Sequence, residues 1–315
     1  MKKPIALAIG GLLAVMAGTA LYLLPQAAPT QTASGTPDPS APAVIEESAS
    51  PLEKPPDAQP ATTAKTSSET PRRLETLLLQ FNGSRSYRRF VVAALKDASH
   101  GGVLYAMEAS QQCDTFRRSR DSTGTRSTSN QAMHAAALLD ARCDITGDEY
   151  FDQLTAAMKA GGVTLDSDPL MAALIPSSRA DPREDKLRRA RALLDSGDPI
   201  AMQSLFALDT QPSRDPPGDT GAYFDGQRYR TEAERFLLMD AWLLAQCSLG
   251  VACGPEDTPT LLLCATHDWC GSNVAEALQI GHGRDGSFAQ VQALADSLLR
   301  EIRAKRAAAF VPPAS

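Results

Sequence analysis

From residue 71 onward, apolar side chains recur three and four positions apart, and short polar stretches separate the runs. That spacing marks amphipathic helices. The first, over 72–81, puts Leu74, Leu77, Leu78 and Phe81 on one face, and Asn82-Gly83 ends it. The next has Ser84 or Ser86 as its cap and turns Phe90, Val91, Ala94 and Leu95 inward. His100-Gly101-Gly102 then breaks the chain before a third helix over 103–118. The Arg, Ser and Thr stretch over 117–129 reads as a solvated loop, followed by a fourth helix over 130–143. Thr146 and Glu149 have capping-box spacing for a helix over 149–162.

Residues 169–175 predict a short helix, and Pro182 stands near the start of the next. Residues 185–208 read as a helical hairpin around Ser196-Gly197-Asp198-Pro199, with Leu187, Ala190, Leu194, Ile200, Leu205 and Leu208 on a shared face. A long polar loop is expected over 209–226, mobile or lying flat on the surface. The run 232–247 is apolar almost all round the helical wheel, which predicts a buried central helix. Two more helices follow: a short one ending at Gly281, then one over 286–309 that Ser287 can cap. Its stripe is Phe288, Val291, Ala295, Leu298 and Ile302, and Arg303, Lys305 and Arg306 suit the negative end of its dipole. No segment shows sustained period-two alternation with β-branched enrichment. The fold class read from this pattern is all-α, with one core over 71–310.

Ahead of that domain the pattern changes twice. Lys2 and Lys3 are followed by about twenty residues without a charge, enough to cross a bilayer core of about 30 Å. Residues 1–25 are therefore a signal anchor or a cleaved signal peptide, with length favouring the anchor. Residues 26–70 contain no Phe, Trp or Tyr and are rich in Pro, Ala, Ser and Thr, the composition of a disordered linker. The leading lysines put everything beyond the anchor outside the cytoplasm, as a periplasmic domain held at the inner membrane. A net charge of −6 without a basic stripe excludes a nucleic-acid binder.

Six cysteines in an oxidising compartment read as disulfides. Cys247, Cys253, Cys264 and Cys270 have C-x5-C spacings that are too open for zinc knuckles. Pairing 247–253 with 264–270 is preferred, and 247–270 with 253–264 is the nested alternative. Cys113 and Cys143 are then left for each other. If their helices are antiparallel, however, the two ends lie about 20 Å apart, so this pair needs a crosswise helix or a chain that curls back. No metal and no cofactor is called for.

The hairpin ARALLDSGDPIAMQSLFAL resembles half of a Sel1-type or tetratricopeptide-type repeat. The cysteine region DAWLLAQCSLGVACGPED…LCATHDWC is similar to bacterial envelope proteins of that Sel1-like sort. The resemblance covers about a third of the chain and implies a degenerate helical solenoid in the cell envelope, since no steady 34–40-residue period recurs. It carries no catalytic residues across.

Among candidate chemical groups, Asp240 sits one turn from Phe236 and Leu244 and could be an acid with a raised pKa. The plainer expectation is a bond to a neighbouring helix end or an arginine. His134, His267 and His282 are too far apart in sequence to argue a shared site, and no nucleophile-elbow or phosphate-binding motif is present. Tyr87-Arg88-Arg89 and the cluster 117–120 read as solvated surface. The favoured function is a tethered, non-enzymatic interaction module for another envelope protein or peptide. The alternative is a cell-wall-acting enzyme using a buried carboxylate such as Asp240.

Overall fold

The structure is a computed structural model, described here for residues 69–122, 129–160, 163–176, 181–208, 221–283 and 286–313. The expected membrane segment and almost all of the expected linker lie outside these residues. Among the described residues no helix is long and apolar enough to cross a membrane.

The described chain is mostly helical. In order, the helices are α1 (Glu69–Asn82), α2 (Tyr87–Lys96), α3 (Gly102–Ser122), α4 (Asn130–Arg142), α5 (Gly147–Lys159) and α6 (Pro169–Leu174). They continue with α7 (Pro182–Ser196), α8 (Pro199–Met202), α9 (Glu232–Ser248), α10 (Thr258–His267), α11 (Val274–His282) and α12 (Phe288–Arg303). The tightest helix pairs are α4 with α10, α9 with α12, and α2 with α3.

Local sequence explains most starts and stops. Ser86 caps α2 by accepting the Arg89 N–H at 3.2 Å, and Thr146 with Glu149 forms the expected reciprocal box on α5. Pro182 and Pro199 occupy first-turn positions, and Gly197 ends α7 at φ +66°. The second arm of that hairpin is shorter than its pattern suggested: α8 is one turn, continued by a 3-10 stretch over Gln203–Ala207. At Gly102 a Cβ would stand 1.9 Å from the Ala94 carbonyl oxygen, so only glycine lets α3 start against the end of α2.

The centre of the core is not where the apolar run placed it. In α9 only Leu238, Ala241, Trp242, Ala245 and Gln246 are buried, and Phe236, Leu237, Met239, Leu243 and Leu244 stay half-buried. The first turns of α3 are instead enclosed on every side: Val103, Leu104, Tyr105, Ala106 and Ala109 have almost no exposure. Tyr105, Glu108 and Gln112 make α3 look two-faced in sequence, yet these polar groups find partners inside the protein. Helix α3 also runs on to Ser122, through part of the stretch expected to be loop.

That extension removes the obstacle to pairing Cys113 with Cys143. Cys113 is mid-helix, and the chain climbs nine more residues, about 13 Å, before returning along α4. The α-carbons of Cys113 and Cys143 then lie 5.2 Å apart with the sulfurs at disulfide distance. Cys247 pairs with Cys253 and Cys264 with Cys270, the sequential arrangement.

One element departs from the helical expectation. Strands β1 (Ala222–Phe224) and β2 (Gln227–Tyr229) form an antiparallel hairpin in the register Ala222↔Tyr229 and Phe224↔Gln227. Asp225 and Gly226 take φ +46° and +85° in its turn, as an Asp-Gly hairpin demands. Residues 222–226 are thus the first strand and turn of a hairpin, and 209–220 lie outside the described residues. Phe224 is buried against Phe310 of the C-terminal 3-10 turn, and the Asp225 N–H bonds the Ala309 carbonyl at 2.8 Å.

Candidate functional site

Helix α9 starts at a capping box in which Thr231 accepts the Glu234 N–H. The Glu234 carboxylate takes the N–H groups of Arg230 and Thr231, which hold it below the usual carboxylate range. The buried face of α9 packs on α12, and Asp240 lies at the edge of that face. Asn273 caps α11, whose inner face is Val274, Ala277 and Leu278 and whose last residue is His282. Ser287 follows five residues later at the N-cap of α12.

These three elements bring three side chains into line. His282 Nε2 lies 2.7 Å from Asp240 Oδ2, and His282 Nδ1 lies 2.6 Å from Ser287 Oγ. A carboxylate only accepts, so the imidazole proton belongs on Nε2 and the Nδ1 lone pair faces the serine hydroxyl. The His282 and Asp240 side chains are 13% and 15% exposed, sheltered but within reach of solvent. Ser287 does not cap its own helix, although it occupies the cap position.

The wall beside this relay is aromatic. Helix α10 ends at Asp268, in the left-handed region at φ +61°, and the Cys264–Cys270 pair closes the turn around Trp269. The Trp269 ring is 5.6 Å from His282 and 4.9 Å from His267, centroid to centroid. A Cβ on Gly281 would come within 2.4 Å of the indole, so the glycine lets Trp269 lie against the end of α11. Burial pushes the His267 pKa down while Asp240 pulls it up, and burial dominates. His267 is therefore neutral at pH 7. Ser129 hydrogen-bonds Asp268 and ties the start of α4 to the same turn.

Asp240 meets an imidazole at a neighbouring helix end, close to the plainer of the two expectations. His267 and His282 do not stay apart, because both pack against Trp269. His134 is exposed on α4, away from any such bond. Ser287 had no sequence signal beyond its capping position.

The arginine clusters also change character. Arg88 donates to the Asp144 carbonyl at 2.8 Å and pairs with Glu149, and Arg117 donates to the carbonyls of Cys143 and Ile145. Both clamp the loop after α4. Tyr87 is buried, with its hydroxyl bonded to Gln112 and Thr258, and burial pushes its pKa up to about 12.

Among the described residues no three His, Cys, Asp or Glu side chains converge as a metal site. The fold and this corner define a mostly helical domain with paired cysteines and one Asp–His–Ser relay. No protein-family model, curated protein or solved structure matches the chain.

Proposed function

We propose that this chain is a membrane-tethered periplasmic module that presents a rigid helical head to another envelope protein or peptide. The observation that carries the reading is how the first helix after the linker is fixed to the body. The Asn82 amide donates to the Gly250 carbonyl at 3.1 Å and accepts the Ala252 N–H at 3.2 Å. The end of α1 is thus pinned to the loop closed by Cys247 and Cys253, so a partner meets a preorganised surface. All six cysteines pair with one another, as an oxidising compartment favours. Leu79, Met133 and Ile280 offer apolar contact points, at 65%, 53% and 45% exposure. Photo-crosslinking residues placed singly at these three positions in intact cells should each be scored for adducts. A discrete adduct with one envelope protein from at least one position is expected, and none from all three would overturn the reading.

A second reading, an enzyme acting on envelope material, is favoured by the Asp240–His282–Ser287 relay. Its acid–base pair is His282 with Asp240 rather than a lone carboxylic acid.

A further inference from the structure

We infer that Ser287 is a nucleophile activated by His282 and held in register by Asp240, and that this corner hydrolyses small uncharged carboxylic esters. The inference goes beyond the binding role and does not depend on it.

Three observations separate a nucleophile from a mere strut. First, an N-cap serine ordinarily bonds its own helix, an interaction worth about 1 kcal/mol. Ser287 instead points its hydroxyl at an imidazole nitrogen, 2.6 Å away. Second, the imidazole is held at its other nitrogen by a carboxylate, which fixes the tautomer that can accept the hydroxyl proton. Third, the relay is within reach of solvent, whereas a carboxylate that serves only the core is sealed from it. Asp168, for one, has no exposure and is bonded by four backbone N–H groups.

The chemistry follows from the geometry. Ser287 Oγ adds to the ester carbonyl carbon while its proton passes to His282 Nδ1, and Asp240 stabilises the imidazolium through Nε2. The start of α12 is at Ser287, so the positive end of the helix dipole faces the oxyanion. Collapse of the adduct breaks the bond to the alkoxy oxygen, which leaves as the alcohol with the proton from Nδ1. Water then adds to the acyl-serine, gives a proton to Nδ1, and the carboxylic acid departs as Ser287 recovers that proton. The sum is ester plus water giving acid plus alcohol. Trp269 and neutral His267 form an uncharged wall beside the relay, and Asp240 repels anions, so a neutral acyl group suits it.

The test uses the full chain, an alkyl fluorophosphonate probe and p-nitrophenyl butyrate. One probe adduct on Ser287 is expected, with ester hydrolysis that Ser287→Gly abolishes, glycine being a tolerated N-cap residue that leaves the helix start intact. His282→Gln should slow labelling at least about a hundredfold, the usual contribution of a general base. Asp240 is a positioning residue: Asp240→Asn should lower kcat with KM unchanged, and Asp240→Glu should recover part of the loss. Thermal melts of each variant distinguish lost chemistry from lost fold. The inference is overturned if the folded wild-type chain takes no label on Ser287, or if hydrolysis survives Ser287→Gly. Neither outcome touches the binding role as read at Leu79 on α1 and Met133 on α4; Ile280, two residues from His282 on α11, is the crosslinking position beside the relay.

Discussion

Two carboxylates, Asp168 and Asp240, show how differently one side chain is used in two parts of this domain. Asp168 sits between the starts of α3 and α6 and accepts the N–H groups of Val103, Leu104, Leu170 and Met171 at 2.8–3.4 Å. One buried side chain caps two helices there. Two residues along α3, Tyr105 donates to Asp198 at 2.7 Å, and elsewhere in the interior Arg142 donates to Thr258 and the Glu256 carbonyl. Backbone groups and fixed side chains fill the polar needs of these interior sites. Asp240 has no such backbone partner; it meets His282, which meets Ser287, at the surface. A carboxylate saturated by backbone is committed to the fold, because any change orphans N–H groups that water cannot reach. A carboxylate in a side-chain relay can exchange protons without loosening a helix.

The sharpest break of this comparison is to remove each carboxylate in turn. Asp168→Ala should cost about 3 kcal/mol in urea unfolding, since two caps are lost and the N–H groups left behind stay buried. A loss below about 1 kcal/mol would mean that the double cap does not hold α3 and α6. The next largest effect is expected at the aromatic wall. Gly281→Ala forces Trp269 away from α11 and should cost about 1 kcal/mol, with a shift in tryptophan emission. Unchanged emission would show that the indole does not rest there. Smaller still is Asp240→Asn, which keeps a hydrogen-bonding group beside His282. Less than about 1 kcal/mol should be lost, against the larger loss at Asp168.

The smallest effect is a slope with pH. Burial lowers the folded-state pKa of His267, so the unfolded chain takes up this proton first on acidification. Stability is therefore lost as pH falls below the unfolded value of about 6.5 and down to the folded pKa. Glu149, Glu234 and Glu276 are held below the usual range by hydrogen bonds, so their stabilisation is present above about pH 4.3 and fades below it. Melting temperatures between pH 7 and pH 5 should fall in the wild type and fall less in His267→Gln. Equal slopes in the two would rule out the half-buried neutral histidine.

How much of this was legible in the sequence depended on the range of the interaction. The Thr146–Glu149 box, the Ser86 cap and the turn at Gly197 involve residues within a few positions of each other, and all three are present. The sequential cysteine pairs are the preferred one of two arrangements that spacing left open, and the route to Cys113–Cys143 was hidden because α3 outlasts its apolar pattern. The burial of α3 was hidden because Tyr105 finds its acceptor, Asp198, 93 residues away. The hairpin did carry a local signal, Asp225-Gly226 between aromatic flanks, but its strands of three residues are too short to show alternation. The relay carried none: Asp240 and His282 are 42 positions apart, and only the packing of α9, α11 and α12 puts them in line.

The state of the His282 ring tests that alignment most directly. Nitrogen-15 NMR of the imidazole should show one slowly exchanging proton on Nε2 and an unprotonated, hydrogen-bonded Nδ1 at pH 7.5, with the proton signal lost in Asp240→Asn. A ring that carries its proton on Nδ1, or exchanges it freely with water whether or not Asp240 is present, would contradict the relay.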